Sequence, residues 1–182
     1  LSALLSIVIA KKDYNNPVEE IGTDISLLAF KNANIISMEE GREKVEKNLT
    51  LLIENGRIVR IHPDSVSISS KYKVIDATDK YIVPGLIDMH VHLEMQMDPS
   101  NYIKRYTNNE ADVAYNSVGF AKTTLLAGFT TVRDLGGSGV NVSLRNAINN
   151  GKIIGPRIFS AIFAPPIALP NIVKPVPASI IL

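Results

Sequence analysis

The run Tyr81-Ile82-Val83-Pro84-Gly85-Leu86-Ile87-Asp88-Met89-His90-Val91-His92 decides how the rest of this sequence is read. Apart from Asp88, the stretch from Ile82 to Met89 carries no charge, which suits a parallel strand buried on both faces. It ends in two histidines one residue apart. Side chains on a strand alternate faces, so residues two apart point the same way. His90 and His92 therefore present two imidazoles side by side to one ion. The sequence has three histidines, and two of them are here. By the same alternation Asp88 shares their face, where it either orients a ligand or is structural.

Composition narrows the chemistry. The 182 residues suit one domain or one and a half. At 46% hydrophobic and 20% charged, the chain is ordinary for a globular protein. The formal net charge is +1 and the Lys and Arg are scattered, so a nucleic-acid surface is not expected. The chain has no cysteine. Disulfides, thiolate metal sites and cysteine nucleophiles are excluded, and a metal must bind through nitrogen and oxygen.

Upstream of the run, residues 25–80 read as short strands. Ser26–Phe30 and Ala33–Ile36 come first, then a charged stretch, Glu39–Lys47, expected as a solvated loop. Leu49–Glu54 and Arg57–Ile61 flank Asn55-Gly56, the strongest short hairpin signal, since both turn residues need positive φ. His62, before Pro63, is expected in a surface turn. Tyr72–Asp76 is a further strand. Several antiparallel strands over so short a span suggest a small β-sandwich.

Downstream, residues 81–161 alternate. Asn109–Leu126 reads as a helix stopped near Gly128, Phe129–Asp134 as a strand, Val142–Asn150 as a helix stopped at Gly151, and Ile158–Ala161 as a strand. Strand, helix, strand, helix, strand opens a parallel α/β fold. Arg133 and Asp134 end a strand, where barrel active sites are built. They have a substrate-facing or ligand-supporting role, or form a local ion pair or helix cap, and the local roles are favoured. Gly136-Gly137-Ser138-Gly139 lacks the lysine of a P-loop and the spacing of a dinucleotide fingerprint, and reads as a flexible βα loop.

The two ends are read separately. Leu1–Ala10 is almost wholly apolar, and ten residues are too few to span a bilayer as a helix. With the Asn-rich linker up to residue 24, it reads as the remnant of a signal-peptide core or as a strand. The first reading makes the protein exported, periplasmic or extracellular; the second leaves it cytoplasmic. Residues 162–182 hold five prolines, 165, 166, 170, 175 and 177, and read as an extended Pro-rich tail.

Val83-Pro84-Gly85-Leu86-Ile87-Asp88-Met89-His90-Val91-His92-Leu93 resembles the first barrel strand of the amidohydrolase superfamily. Leu51–Ile61 resembles the hairpin of that family's N-terminal β-sandwich. Gly128-Phe129-Thr130-Thr131-Val132-Arg133-Asp134, Ser143-Leu144-Arg145 and Gly155–Ala161 resemble its imidazolonepropionase-like or Xaa-Pro-dipeptidase-like branch. The resemblance covers roughly residues 27–161. It implies an α/β fold in which a small β-sandwich precedes the first βα units of a metal-dependent (β/α)8 barrel. It also implies that His90 and His92 bind a divalent metal, zinc by preference. The activity implied is hydrolysis of an amide or other C–N bond, in a cyclic amide or an Xaa-Pro dipeptide, by metal-bound hydroxide. The family's remaining ligands and its catalytic aspartate cannot be placed on this sequence, which has no histidine after His92. A complete barrel takes about 250 residues, and 97 run from Leu86 to Leu182. The barrel is therefore expected to be incomplete. The rival expectation is an inactive, truncated fragment whose exposed sheet edges make it at most an association module or an oligomer.

Overall fold

The computed structural model describes residues 7–10, 27–38 and 44–161. The linker at 11–24, the start of the charged stretch and the proline-rich tail lie outside the described residues. The chain divides after Gly85 into two compact units, five residues beyond the boundary expected from the sequence.

The first unit is one sheet of six strands: β1 (Ile7–Ala10), β2 (Leu27–Ile35), β3 (Glu46–Glu54), β4 (Arg57–Pro63), β5 (Lys73–Asp76) and β6 (Tyr81–Pro84). Their order is β1-β6-β2-β3-β4, with β5 also on β2. Hydrogen bonding joins all six strands in one continuous sheet. One expectation changes: the strands are not all antiparallel, since β5 and β6 run parallel to β2. The cause is β2 itself. Its first half pairs with β5 and its second half with β6, both along the edge opposite β3.

That double pairing depends on a bulge. The β2–β3 register slips between Phe30 and Ala33, and Asn32 there has φ 58°. Asparagine tolerates this left-handed conformation better than most residues. The extra residue moves the inward positions from Leu28 and Phe30 to Ala33 and Ile35, so one face stays in the core. Asn32 is fixed there by its Nδ2, which donates to Asp76 Oδ1 (3.0 Å), and its amide, which donates to Asp64 Oδ1 (3.3 Å). Leu51, Ile53, Ala77 and Ile82 complete the core. The β3–β4 hairpin turns at Asn55-Gly56 with φ 49° and 72°, the two positive values its sequence calls for. β3 starts at Glu46, so the end of the charged stretch is strand and not loop. His62 lies near the end of β4, opposite Thr50, and not in a turn.

The run from Tyr81 to Val91 is two strands. Tyr81–Pro84 finishes the first sheet, and Leu86–Val91 (β7) begins the second. The second unit holds β7, α1 (Asn101–Thr107), α2 (Glu110–Leu126), β8 (Phe129–Asp134), α3 (Val140–Asn149) and β9 (Arg157–Ser160). Its sheet, β7-β8-β9, is parallel throughout. α2 starts on a capping box, in which Asn109 Oδ1 accepts from the Ala111 and Asp112 amides and Asp112 Oδ2 accepts from the Asn109 amide. It stops before Gly128, whose φ of 98° suits glycine. Ala121, Leu144 and Ile148 from the helices pack against Val132, Ile158 and Leu93. β7 is not buried on both faces as expected: Leu86, Ile87 and Met89 are 51%, 62% and 59% exposed. β7 is an edge strand with β8 as its partner, so its apolar residues lack cover on one side.

Candidate functional site

His90 and His92 sit at the C-terminal end of β7, both exposed. Their ring centroids are 5.3 Å apart with the planes at 70°. Two imidazoles bound to one tetrahedral ion, with metal–nitrogen bonds of about 2.0–2.1 Å, place their centroids about 5 Å apart. The spacing fits one shared ion. The imidazoles come together as the sequence implies; Asp88 does not join them. The β7–β8 register slips between Asp88 and Val91, so strict alternation does not run through this point. The Asp88 carboxylate turns back to accept from the His90 amide at 2.9 Å.

His92 is held from behind. Its Nδ1 lies 3.2 Å from the Gly136 carbonyl oxygen, in the loop after β8. With the proton on Nδ1 the ring donates to that carbonyl, leaving the Nε2 lone pair free for a metal. Metal-binding histidines commonly carry such a hydrogen bond on the far nitrogen. The donor set and this support both fit a divalent ion. Among the described residues, no third His, Cys, Asp or Glu joins them in a metal-holding group.

The loop that carries Gly136 is organised by two carboxylates. Asp134, at the end of β8, is 0% exposed. Its Oδ2 accepts from the Leu93 amide (3.0 Å), and its Oδ1 accepts from the Gly136 amide (3.2 Å) and Asn141 Nδ2 (3.3 Å). Glu94 accepts from the Ser138 amide (2.7 Å) and the Asn141 amide (2.8 Å) at the start of α3. This end of the helix has no side-chain cap from its own Gly139, so Glu94 supplies the negative charge a helix N-terminus favours. Gly137 lacks a Cβ for a local reason, because one there would collide with the Glu94 carboxylate. The glycine-rich loop is therefore filled by a side chain of the protein and is not a phosphate cradle. Arg133 is exposed. Asp134 is a buried acceptor for the Leu93 and Gly136 amides and Asn141 Nδ2, and not the helix cap favoured for it, since the amide of Asn141 at the start of α3 goes to Glu94. Glu94 and Asn141 were missed by sequence reasoning. The available signal was an acid two residues past His92 and an amide side chain at a helix start.

Beyond Glu94 lies a cavity of about 480 Å³, lined in part by Met95, Asp98, Lys104, Val113 and Phe120; neither histidine lines it. Lys104 Nζ meets Asp98 Oδ2 at 2.7 Å. That ammonium, with the amide and hydroxyl of Ser100, holds the Asp98 carboxyl well below the usual carboxylate range. No described helix is long and apolar enough to cross a membrane.

Residues 81–168 match the model of the amidohydrolase family. A dihydroorotase from Carboxydothermus hydrogenoformans is 38% identical over 105 residues, 58% of this chain and 20% of that protein. An imidazolonepropionase from Pseudoalteromonas atlantica is 36% identical over 70 residues, 35% of this chain and 17% of its own. Among solved structures, a Xaa-Pro dipeptidase with methionine bound in its active site superposes with a TM-score of 0.62 at 30% identity, over 75% of this chain and 33% of that one. The chain thus spans about a fifth of the curated relatives' length and a third of the solved ones.

Proposed function

Residues 81–168 of this chain are amidohydrolase-family sequence, and from that premise we propose that the chain contributes His90 and His92 as metal ligands to a hydrolase of amide or other C–N bonds. The observation that carries this reading is the pair of imidazoles 5.3 Å apart at the end of a parallel strand. Active sites of (β/α)8 barrels are built at that end of the strands. Zinc is the ion proposed, since imidazole nitrogen suits it and the chain offers no thiolate. A divalent ion held there polarises a carbonyl and lowers the pKa of a water molecule toward neutrality. The chain's own residues present two imidazoles on one edge of the sheet, and the Gly136 carbonyl fixes the ring of one of them. The substrate class proposed is a cyclic amide or an Xaa-Pro dipeptide, in keeping with the similarity to a dihydroorotase, an imidazolonepropionase and a Xaa-Pro dipeptidase.

A second reading is favoured by one specific observation. Catalytic zinc sites use three protein ligands, and the described residues bring two together. On this reading the chain by itself holds zinc weakly and does not turn over substrate. The ligand assignment and the two readings are tested together. Zinc is measured by elemental analysis after equilibrium dialysis, and hydrolysis is assayed on a panel of Xaa-Pro dipeptides and cyclic amides. The ligand assignment expects zinc uptake that His90→Ala and His92→Ala abolish; uptake indifferent to both substitutions overturns it. Turnover lost with either histidine supports a chain active alone. Uptake without turnover supports the second reading.

A further inference from the structure

Asp134 is a wholly buried carboxylate that the proposed ligand set does not use. Among the described residues, no Lys or Arg is a hydrogen-bond partner of its carboxylate. Its partners are the Leu93 amide, the Gly136 amide and Asn141 Nδ2. Burying a carboxylate is costly unless donors replace its water, so a buried acid satisfied by loop amides fixes those amides firmly. The two amides are not arbitrary. Leu93 is the residue that follows His92, and Gly136 is the residue whose carbonyl oxygen faces His92 Nδ1 at 3.2 Å. One carboxylate thus ties down both the chain that carries the ring and the carbonyl that the ring meets. Glu94 holds the other side of the same loop through Ser138 and Asn141. Leu135, between Asp134 and Gly136, also donates its amide to the Val91 carbonyl at 3.2 Å, closing the loop onto β7.

We infer that Asp134 is a positioning residue for His92: through Leu93 and the Gly136 carbonyl it sets the orientation and the tautomer of that imidazole, with the proton on Nδ1 and the Nε2 lone pair outward. The consequence for metal binding rests on the ligand reading given above. The tautomer itself does not. Removing the direct partner of a ligand histidine typically weakens metal binding 10–100-fold; Asp134 acts one hydrogen bond further out, through Leu93 and Gly136.

The test uses the full chain labelled with 15N-histidine, free of metal, with His92 assigned by comparison with His92→Ala. The wild-type His92 signals are those of an Nδ1-protonated ring. In Asp134→Asn, which puts an amide where a carboxylate accepted, His92 shifts toward the Nε2-protonated mixture of a solvent-exposed histidine. Zinc affinity falls in the same variant, by up to about 10-fold. Leu144→Ala loosens the same unit without touching the carboxylate and leaves the His92 signals in place. Should Asp134→Asn not fold, Asn141→Ala removes one donor from Asp134 and shifts His92 part of the way. A wild-type His92 already like a solvent-exposed histidine overturns the inference. So does a His92 unchanged in a folded Asp134→Asn or Asn141→Ala, or one displaced equally by Leu144→Ala. Failure of wild-type zinc binding with the tautomer effect intact counts against the ligand reading alone.

Discussion

Asn32 shows how much one residue can decide. At φ 58° it sits where a β-branched side chain is strained by about 1–2 kcal/mol. Its side chain and amide also bridge Asp76 and Asp64. Asn32→Val is therefore expected to destabilise the chain by about 2–4 kcal/mol, the strain plus a lost side-chain hydrogen bond. Chemical denaturation read against Asn32→Gly separates the two, since glycine relieves the strain and keeps only the lost bond. An Asn32→Val variant as stable as the wild type would remove the bulge from the account of β2. The candidate site divides at the same scale. His90 and His92 are legible because they lie two apart on one strand end. For Asp134 the strand end offered a ligand-supporting role beside the favoured local ones, but not the link to His92. Its partners, Leu93 and Gly136, are backbone amides, and backbone amides leave no mark in a sequence.

At the level of elements, periodicity and end signals located α2, β8, α3 and β9 to within two residues or so, and turn chemistry located the β3–β4 hairpin. α1 was not foreseen. It has seven residues, and Tyr102, Ile103 and Tyr106 are exposed, so there is no buried apolar stripe to read. Its start is organised by Asp98, which accepts from Ser100 and Lys104. Those donors favour the ionised carboxylate and lower its pKa from the ordinary 3.8. The folded state thus binds the proton less readily than the unfolded one. The stabilisation is fully present above about pH 4 and is lost as the pH falls through the lowered folded value. Amide exchange of residues 102–107 is expected to be uniform from pH 7 to pH 5 once corrected for intrinsic rates, and to accelerate selectively at lower pH. Asp98→Asn should abolish that selective change. If α1 shows the same acid response without the carboxylate, Asp98 does not organise its first turn.

At the scale of the whole molecule, the second sheet has three parallel strands, and its edge β7 exposes Leu86, Ile87 and Met89. Parallel sheets are ordinarily covered on both faces, and an apolar edge strand invites pairing. Light scattering is expected to give an apparent mass that rises with concentration, and Ile87→Lys should lower it. A wild-type mass independent of concentration would argue against β7 as an association edge. By itself, the sequence determined the histidine pair, the Asn55-Gly56 turn and the alternation of strand and helix after Leu86, because each is written in residues close together along the chain. Only the tertiary structure decided three other things. The 81–92 run splits at Pro84-Gly85 between two sheets; β5 and β6 lie parallel to β2; and Asp134 and Glu94 converge on the loop behind His92. Strand direction, sheet membership and backbone acceptors depend on where distant segments meet, and a strand's own pattern of apolar residues is the same for each of those outcomes.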